Sequence, residues 1–183
     1  RESKTAASIN HPSIVTIYQI GEHDRLPYIA MQLINGPNLS EYRSQQGGLV
    51  PILEAVRIGR EISEGLAAAH EKDLVHRDIK PANLMLCNRG GIADFVKVLD
   101  FGIAKQISSE QELTHDNSIV GTPHYIAPER ISGDLVVDAR SDLYSVGCVA
   151  FFLLTGKTPF DASKPVQLFY QLLNEQAPRA STR

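Results

Sequence analysis

An α+β fold is what this sequence predicts, with a few strands near the N-terminus and a mostly helical body after them. Three observations carry the prediction. A β-branched run over residues 14–20 and a second extended run over 27–33 flank a Gly-containing turn at 21–25, the pattern of a hairpin. Over 52–71, the apolar residues Val56, Ile58, Ile62, Leu66 and Ala69 recur at mostly helical spacing with charges between them. Residues 141–155 are apolar nearly all round, which marks a helix packed inside a core.

Taken in order, residues 2–9 read as the end of a helix closed by Asn10-His11-Pro12, because a proline disfavours helix at the residue before it. The hairpin follows. Asn35-Gly36-Pro37-Asn38 breaks the strand pattern, a short helix covers 39–45, and Gly47-Gly48 ends it. The long amphipathic helix over 52–71 then delivers the chain into His76. Two short strands, 84–86 and 95–99, enclose a turn at Asn88-Arg89-Gly90-Gly91. Residues 103–128 show no sustained periodicity and read as a long ordered loop, a feature that in a compact domain usually carries function. After the core helix comes Gly156, where a C-cap glycine belongs, and a last helix over 165–174.

With 183 residues, the chain is long enough for a full core and is about one domain. Apolar residues make up 43% and charged residues 21%, as in an ordinary soluble globular protein. A net charge of −3, with no basic run, gives no general attraction to nucleic acid or to an anionic membrane. The longest apolar run, 146–154, is too short to cross a bilayer. Cys87 and Cys148 lie far apart without metal-ligand spacing and read as two reduced core thiols. The chain opens without Met or a signal peptide and reads as a fragment cut at both ends.

The chemistry concentrates in His76-Arg77-Asp78-Ile79-Lys80-Pro81-Ala82-Asn83, an acid, a base and an amide in one short turn. Asp100-Phe101-Gly102 comes 17 residues after Asn83, and Gly121-Thr122-Pro123 with Ala127-Pro128-Glu129 follows. Each stretch alone is weak. In this order they resemble the protein-kinase signature set without its opening. The chain resembles a serine/threonine protein kinase of the bacterial eukaryotic-like (Hanks) type along its whole length. The resemblance implies a bilobal fold: a partial, small, β-rich N-lobe with the hinge strand over 1–34, and a mostly helical C-lobe over 35–183.

It also implies roles. Asp78 resembles the aspartate that accepts the proton of the substrate hydroxyl, and Lys80 steadies the transferring phosphate as a point charge. Asn83 and Asp100 resemble the oxygen ligands of Mg²⁺ (or Mn²⁺), a hard cation that needs few protein ligands when phosphate supplies the rest. Thr122 bridges Asp78 and Lys80 beside the acceptor, and Gly102 lets the backbone turn. Met31 stands as gatekeeper, the Gln32 carbonyl and Ile34 amide bond the adenine edge of ATP, and Met85 floors that pocket. Glu2 takes the place of the helix glutamate that pairs with a strand lysine. Thr114 and Ser118 are activation-loop phosphosite candidates, and Arg77 with Lys105 forms the pocket for such a phosphate. Asp142 opens the core helix, where it is a cap candidate and, by resemblance, a partner for the backbone of the His-Arg-Asp turn. Glu129 lacks its usual arginine partner.

None of the 13 glycines forms G-x-G, and no Val-Ala-Ile-Lys precedes Glu2. Two readings therefore stand. One is ATP-dependent phosphoryl transfer to Ser/Thr hydroxyls of proteins, including autophosphorylation in signalling. The other is a catalytically inactive truncated kinase or pseudokinase that acts as a binding scaffold. A metal-dependent phosphatase or nuclease needs more carboxylates and histidines than this cleft offers. The resemblance implies protein substrates, ATP and a homodimer of kinase domains as partners. It implies a cytoplasmic location, with any membrane anchor of the full-length protein outside these residues.

Overall fold

The computed structural model describes residues 9–24, 26–101, 123–132 and 137–182. Its elements are strands β1 (Ile17–His23) and β2 (Leu26–Met31), helices α1 (Leu39–Gln45) and α2 (Ile52–His70), strands β3 (Leu84–Arg89) and β4 (Ile92–Val98), and helices α3 (Glu129–Ser132), α4 (Ala139–Thr155) and α5 (Pro165–Asn174). Single 3₁₀ turns cover Pro81–Asn83, Pro123–Tyr125 and Ala180–Thr182. β1 pairs antiparallel with β2, and β3 antiparallel with β4, in two separate two-stranded sheets. The α+β class expected from the sequence is the class observed.

The first strand starts at Ile17, later than the β-branched run suggests. Residues 13–15 are committed elsewhere. The Val15 amide donates to the Val98 carbonyl at 3.0 Å and the Val98 amide to the Ser13 carbonyl at 2.7 Å, which ties this stretch to β4. The buried Lys97 ammonium donates to the Ile14 carbonyl at 2.9 Å and fastens the same stretch. The predicted turn at 21–25 is mostly strand: Gly21 pairs with Tyr28, and the turn is confined to the Asp24 region. Glycine at 21 leaves room for the Tyr28 ring, which a Cβ there would meet at 2.8 Å and displace. The hairpin β3–β4 is tighter than expected, because Gly90 and Gly91 both take positive φ and turn the chain at once.

α1 opens with a capping box: the Asn38 side chain accepts from the Ser40 and Glu41 amides, and Glu41 accepts from the Asn38 amide. α2 buries Ala55, Ile58, Ile62, Gly65, Leu66 and Ala69 on one face. Val56 was expected on that face but is 63% exposed. The stripe through 55, 58, 62, 66 and 69 holds the i+3/i+4 spacing, and 56 lies off it. Buried Glu61 joins α2 to β4. It accepts from the Val96 amide at 2.9 Å and from Arg57 Nη1 at 2.6 Å, while Arg57 also reaches the Asp94 carbonyl. A buried carboxylate persists when it is paired and hydrogen-bonded in this way.

α4 is capped by Asp138, whose side chain accepts from the Arg140 amide, and closed by Gly156 in the left-handed conformation at φ 75°. Asp142, the other cap candidate, is left for a different task. The main core joins α2, α4 and the inner faces of β3 and β4, with Leu84, Leu86, Val96 and Val98 all at 1% exposure or less. A smaller cluster of Phe160, Leu168 and Leu172 packs α5 below it. Cys148 is buried on α4 and Cys87 half-buried on β3, and both are free. No helix among the described residues is long and apolar enough to cross a membrane.

Candidate active site

The site is built on the segment between α2 and β3. Arg77 takes a left-handed φ of 65°, which a non-glycine residue holds only when its surroundings fix it. Asp142, 1% exposed in the first turn of α4, supplies that hold. Its Oδ2 accepts from the His76 amide and its Oδ1 from the Arg77 amide, both at 2.8 Å. Oδ2 also meets His70 Nε2 at 2.8 Å. His76 is fully buried; its Nε2 donates to the Leu99 carbonyl at 2.7 Å and its Nδ1 accepts from the Asp78 amide at 3.2 Å. That pattern requires the neutral Nε2–H tautomer. The ring stacks at a tilt against Phe101, with centroids 4.7 Å apart.

Burial pushes the His76 imidazole below the ordinary histidine value of 6.5, against smaller upward pulls from the Leu99 carbonyl and Asp142. Below about pH 6.5 the unfolded chain takes up a proton that the folded ring still refuses, so stability falls as pH drops through that value. The expected result is a lower urea midpoint at about pH 5.5 than at about pH 7.5, measured by fluorescence or circular dichroism. An equal midpoint at both would argue against a neutral buried ring.

Past the turn, Asp78, Lys80 and Asn83 converge. Lys80 Nζ lies 2.9 Å from Asp78 Oδ2. Asn83 Nδ2 donates to the Asp78 carbonyl at 2.8 Å and to Asp78 Oδ2 at 3.1 Å. The 3₁₀ turn Pro81–Asn83, begun by a proline at its first position, brings Asn83 back over Asp78. Asp100 is carried to the same place by β4, because the Leu99 amide donates to the Asn83 carbonyl at 2.9 Å. Asp100 is exposed and left-handed, at φ 56°.

Asn83 spends its amide N–H on Asp78, which leaves its Oδ1 and the Asp100 carboxylate as hard oxygen donors without protein partners among the described residues. This donor chemistry fits a Mg²⁺ that takes most of its ligands from phosphate. No cluster of three His, Cys, Asp or Glu side chains suited to a metal exists among the described residues.

Met31 ends β2 opposite Ile17, and the Gln32 amide donates to the Thr16 carbonyl at 2.8 Å. The Gln32 carbonyl and Ile34 amide have no backbone partner among the described residues. Gly36 and Pro37 then press on β3: the Leu86 amide donates to the Pro37 carbonyl at 2.9 Å. Met85, half-buried, faces away from its core neighbours Leu84 and Leu86. Glu2, Gly102, Lys105, Thr114, Ser118 and Thr122 lie outside the described residues.

Some positions gave no signal in the sequence. His70 reads there as an ordinary polar residue, yet it joins Asp142. The Ser145 hydroxyl donates to the Tyr125 carbonyl at 2.7 Å. Glu129, expected to stand without a partner, accepts from the Ser141 hydroxyl. Arg130 donates to the Arg77 carbonyl. All four depend on long-range packing, which no local spacing reports.

A family model described as protein kinase domain matches residues 1–182. Over 180 residues, the chain is 43% identical to serine/threonine-protein kinase PrkC of Bacillus subtilis, covering 98% of this chain and 27% of that protein. It is 40% identical over 179 residues to serine/threonine-protein kinase PknB of Mycobacterium leprae, covering 96% of this chain and 28% of that one. The chain thus spans between a quarter and a third of the length of these curated relatives. Among solved structures, Rad53 in complex with AMP-PNP superposes with a TM-score of 0.75 at 29% identity, over 93% of this chain and 41% of that one. The PknI kinase domain of Mycobacterium tuberculosis gives 0.74 at 30%, over 100% and 61%.

Proposed function

The chain belongs to the protein kinase domain family, and from that premise we propose that it transfers the terminal phosphoryl group of ATP to serine and threonine hydroxyls of proteins, its own included, in signalling. The convergence of Lys80 and Asn83 on the Asp78 carboxylate carries this reading. Phosphoryl transfer asks mainly for positioning and electrostatic stabilisation. Asp78 orients the acceptor hydroxyl and takes its proton as the new O–P bond forms. Asn83 holds the Asp78 carboxylate and the carbonyl behind it, so that the base presents one face to the acceptor. Lys80 places a positive charge beside the transferring group. Asn83 Oδ1 and Asp100 would hold Mg²⁺, which when bound neutralises phosphate charge.

The Gln32 carbonyl and Ile34 amide are offered to the adenine edge between Met31 and Met85. The AMP-PNP complex of Rad53 supports a nucleotide at this site. Phosphorylation at Thr114 or Ser118, read through Arg77 and Lys105, is the regulation that follows from this reading. Nothing among the described residues favours the inactive-scaffold alternative.

The test is incubation of the whole gene product with ATP and Mg²⁺, with an Asp78→Asn control, read by intact mass and peptide mapping. Phosphate added to the parent is expected to fall by about 10³-fold or more in the variant. Equal incorporation in both would overturn the assignment of Asp78.

A further inference from the structure

The backbone around Asp78 is held group by group. The amides of His76 and Arg77 go to Asp142, and the amide of Asp78 goes to His76 Nδ1. The Asp78 carbonyl goes to Asn83. These partners lie in the turn itself or in α4. The Arg77 carbonyl has a partner of a different kind, Arg130 Nη1 of α3. In sequence, Arg130 lies beyond the stretch 102–122, within the described segment 123–132.

We propose that Arg130 is a positioning residue for phosphoryl transfer: its guanidinium helps fix the peptide between Arg77 and Asp78 and so couples α3 to the base. This rests on the reading of Asp78 given above. Arg77 is left-handed, so the turn is not the resting conformation of a free chain. Asp142 restrains the peptides on its N-terminal side only. The peptide that leads directly into Asp78 has its N–H held by His76 Nδ1 within the turn, and its carbonyl is restrained from outside the turn by Arg130. Rotation of that peptide swings the Asp78 carboxylate.

The backbone that carries Arg130 is tied to α4. The neighbouring Glu129 accepts from Ser141, which precedes Asp142 on α4, and Ser145 of the next turn holds the Tyr125 carbonyl. The contacts close a ring: α4 to the catalytic turn through Asp142, the turn to α3 through Arg130, and α3 back to α4 through Glu129 and Ser141. Movement of α3 away from α4 draws the guanidinium off the carbonyl and loosens the base. A side chain with no N–H donor that can reach the carbonyl breaks the ring at one point and leaves the fold's other contacts in place.

The experiment uses the whole gene product with ATP, Mg²⁺ and a generic serine- and threonine-containing acceptor protein. Steady-state kcat and KM for ATP are measured for the parent, Arg130→Ala, Arg130→Lys and Asp78→Asn. Arg130→Ala is expected to lower kcat by about 10- to 100-fold, the scale of a misplaced catalytic group. KM for ATP and the melting temperature stay near the parent's. Arg130→Lys, which retains an N–H donor, recovers a large part of kcat. The proposal is overturned if Arg130→Ala keeps kcat within about 2-fold of the parent, a change too small for lost alignment. It is also overturned if kcat, KM and melting temperature all worsen together, or if lysine does no better than alanine. A parent as inactive as Asp78→Asn would instead sink the reading of the site itself, and a positioning role with it.

Discussion

Asp142→Ala is expected to cost about 3–5 kcal/mol of folding stability and to reduce phosphate transfer below detection. The carboxylate accepts from two backbone amides and meets His70, and it is 1% exposed. Alanine leaves the buried His76 amide and the partly buried Arg77 amide without this acceptor, and an orphaned buried donor costs about 1–3 kcal/mol. The loss is not only one of stability. Without the carboxylate, nothing in α4 holds Arg77 in its left-handed conformation, and Asp78 follows directly. Asp142→Asn keeps an acceptor oxygen for one amide but turns an N–H donor toward the other. Its stability should therefore lie between those of the parent and the alanine variant. Chemical denaturation followed by circular dichroism, with a kinase assay on the variants that remain folded, checks both statements. An alanine variant with a parent-like denaturation midpoint would show that the three contacts carry little weight.

Gly36→Ala is the second change with a large expected effect. A Cβ at residue 36 would stand 1.7 Å from the Leu86 carbonyl oxygen and 2.9 Å from its carbon. Both atoms belong to the backbone of β3, which is paired to β4 and cannot retreat. The linker must lift instead, which breaks the bond from the Leu86 amide to the Pro37 carbonyl. A destabilisation of about 3 kcal/mol or more is expected, as for other overpacked sites with no room to relax. Gln32 and Ile34, proposed above to meet adenine, lie just upstream, so on that reading ATP affinity should fall along with stability. Thermal melting and titration with a fluorescent ATP analogue measure the two effects. Glycine-to-alanine changes at Gly47 or Gly48 meet no atoms within 4 Å and serve as comparisons for backbone strain alone.

Much of the fold was legible because its periodicities are local. α2, α4, α5 and the two hairpins all declare themselves in the pattern of apolar residues. The errors come where distant contacts overrule local preference. Residues 14–16 have every local reason to be strand, yet Ser13, Ile14 and Val15 are bonded to β4 and the sheet begins only at Ile17. Val56 fits a loose helical repeat, but only the stripe through Ala55 and Ile58 meets the core. The grouping of Asp78, Lys80 and Asn83 followed from their closeness in sequence. The contributions of His70, Ser141, Ser145 and Arg130 were hidden, because each reaches a partner more than ten residues away. Asp142 shows the difference well. As a helix-opening aspartate it reads locally as a cap, a task that Asp138 takes, and it instead makes the bonds to the His-Arg-Asp turn that the resemblance implied.

The bonds of Ser13, Ile14 and Val15 to β4 bear on how the protein can be divided. In sequence these residues precede the small β1–β2 sheet, but in space they lie along β4 through an isolated parallel bridge between Ile14 and Val98. Residues 13–15 lie on the larger part, and the path then leaves it for the hairpin and returns. A cut before residue 35, made to separate the hairpin from the helices, would take this edge away from its partners. It would expose the Val98 amide and leave the buried Lys97 ammonium without the Ile14 carbonyl. Modularity in this protein is therefore a property of its three-dimensional contacts, and among the described residues a cut at 35 does not separate its parts cleanly.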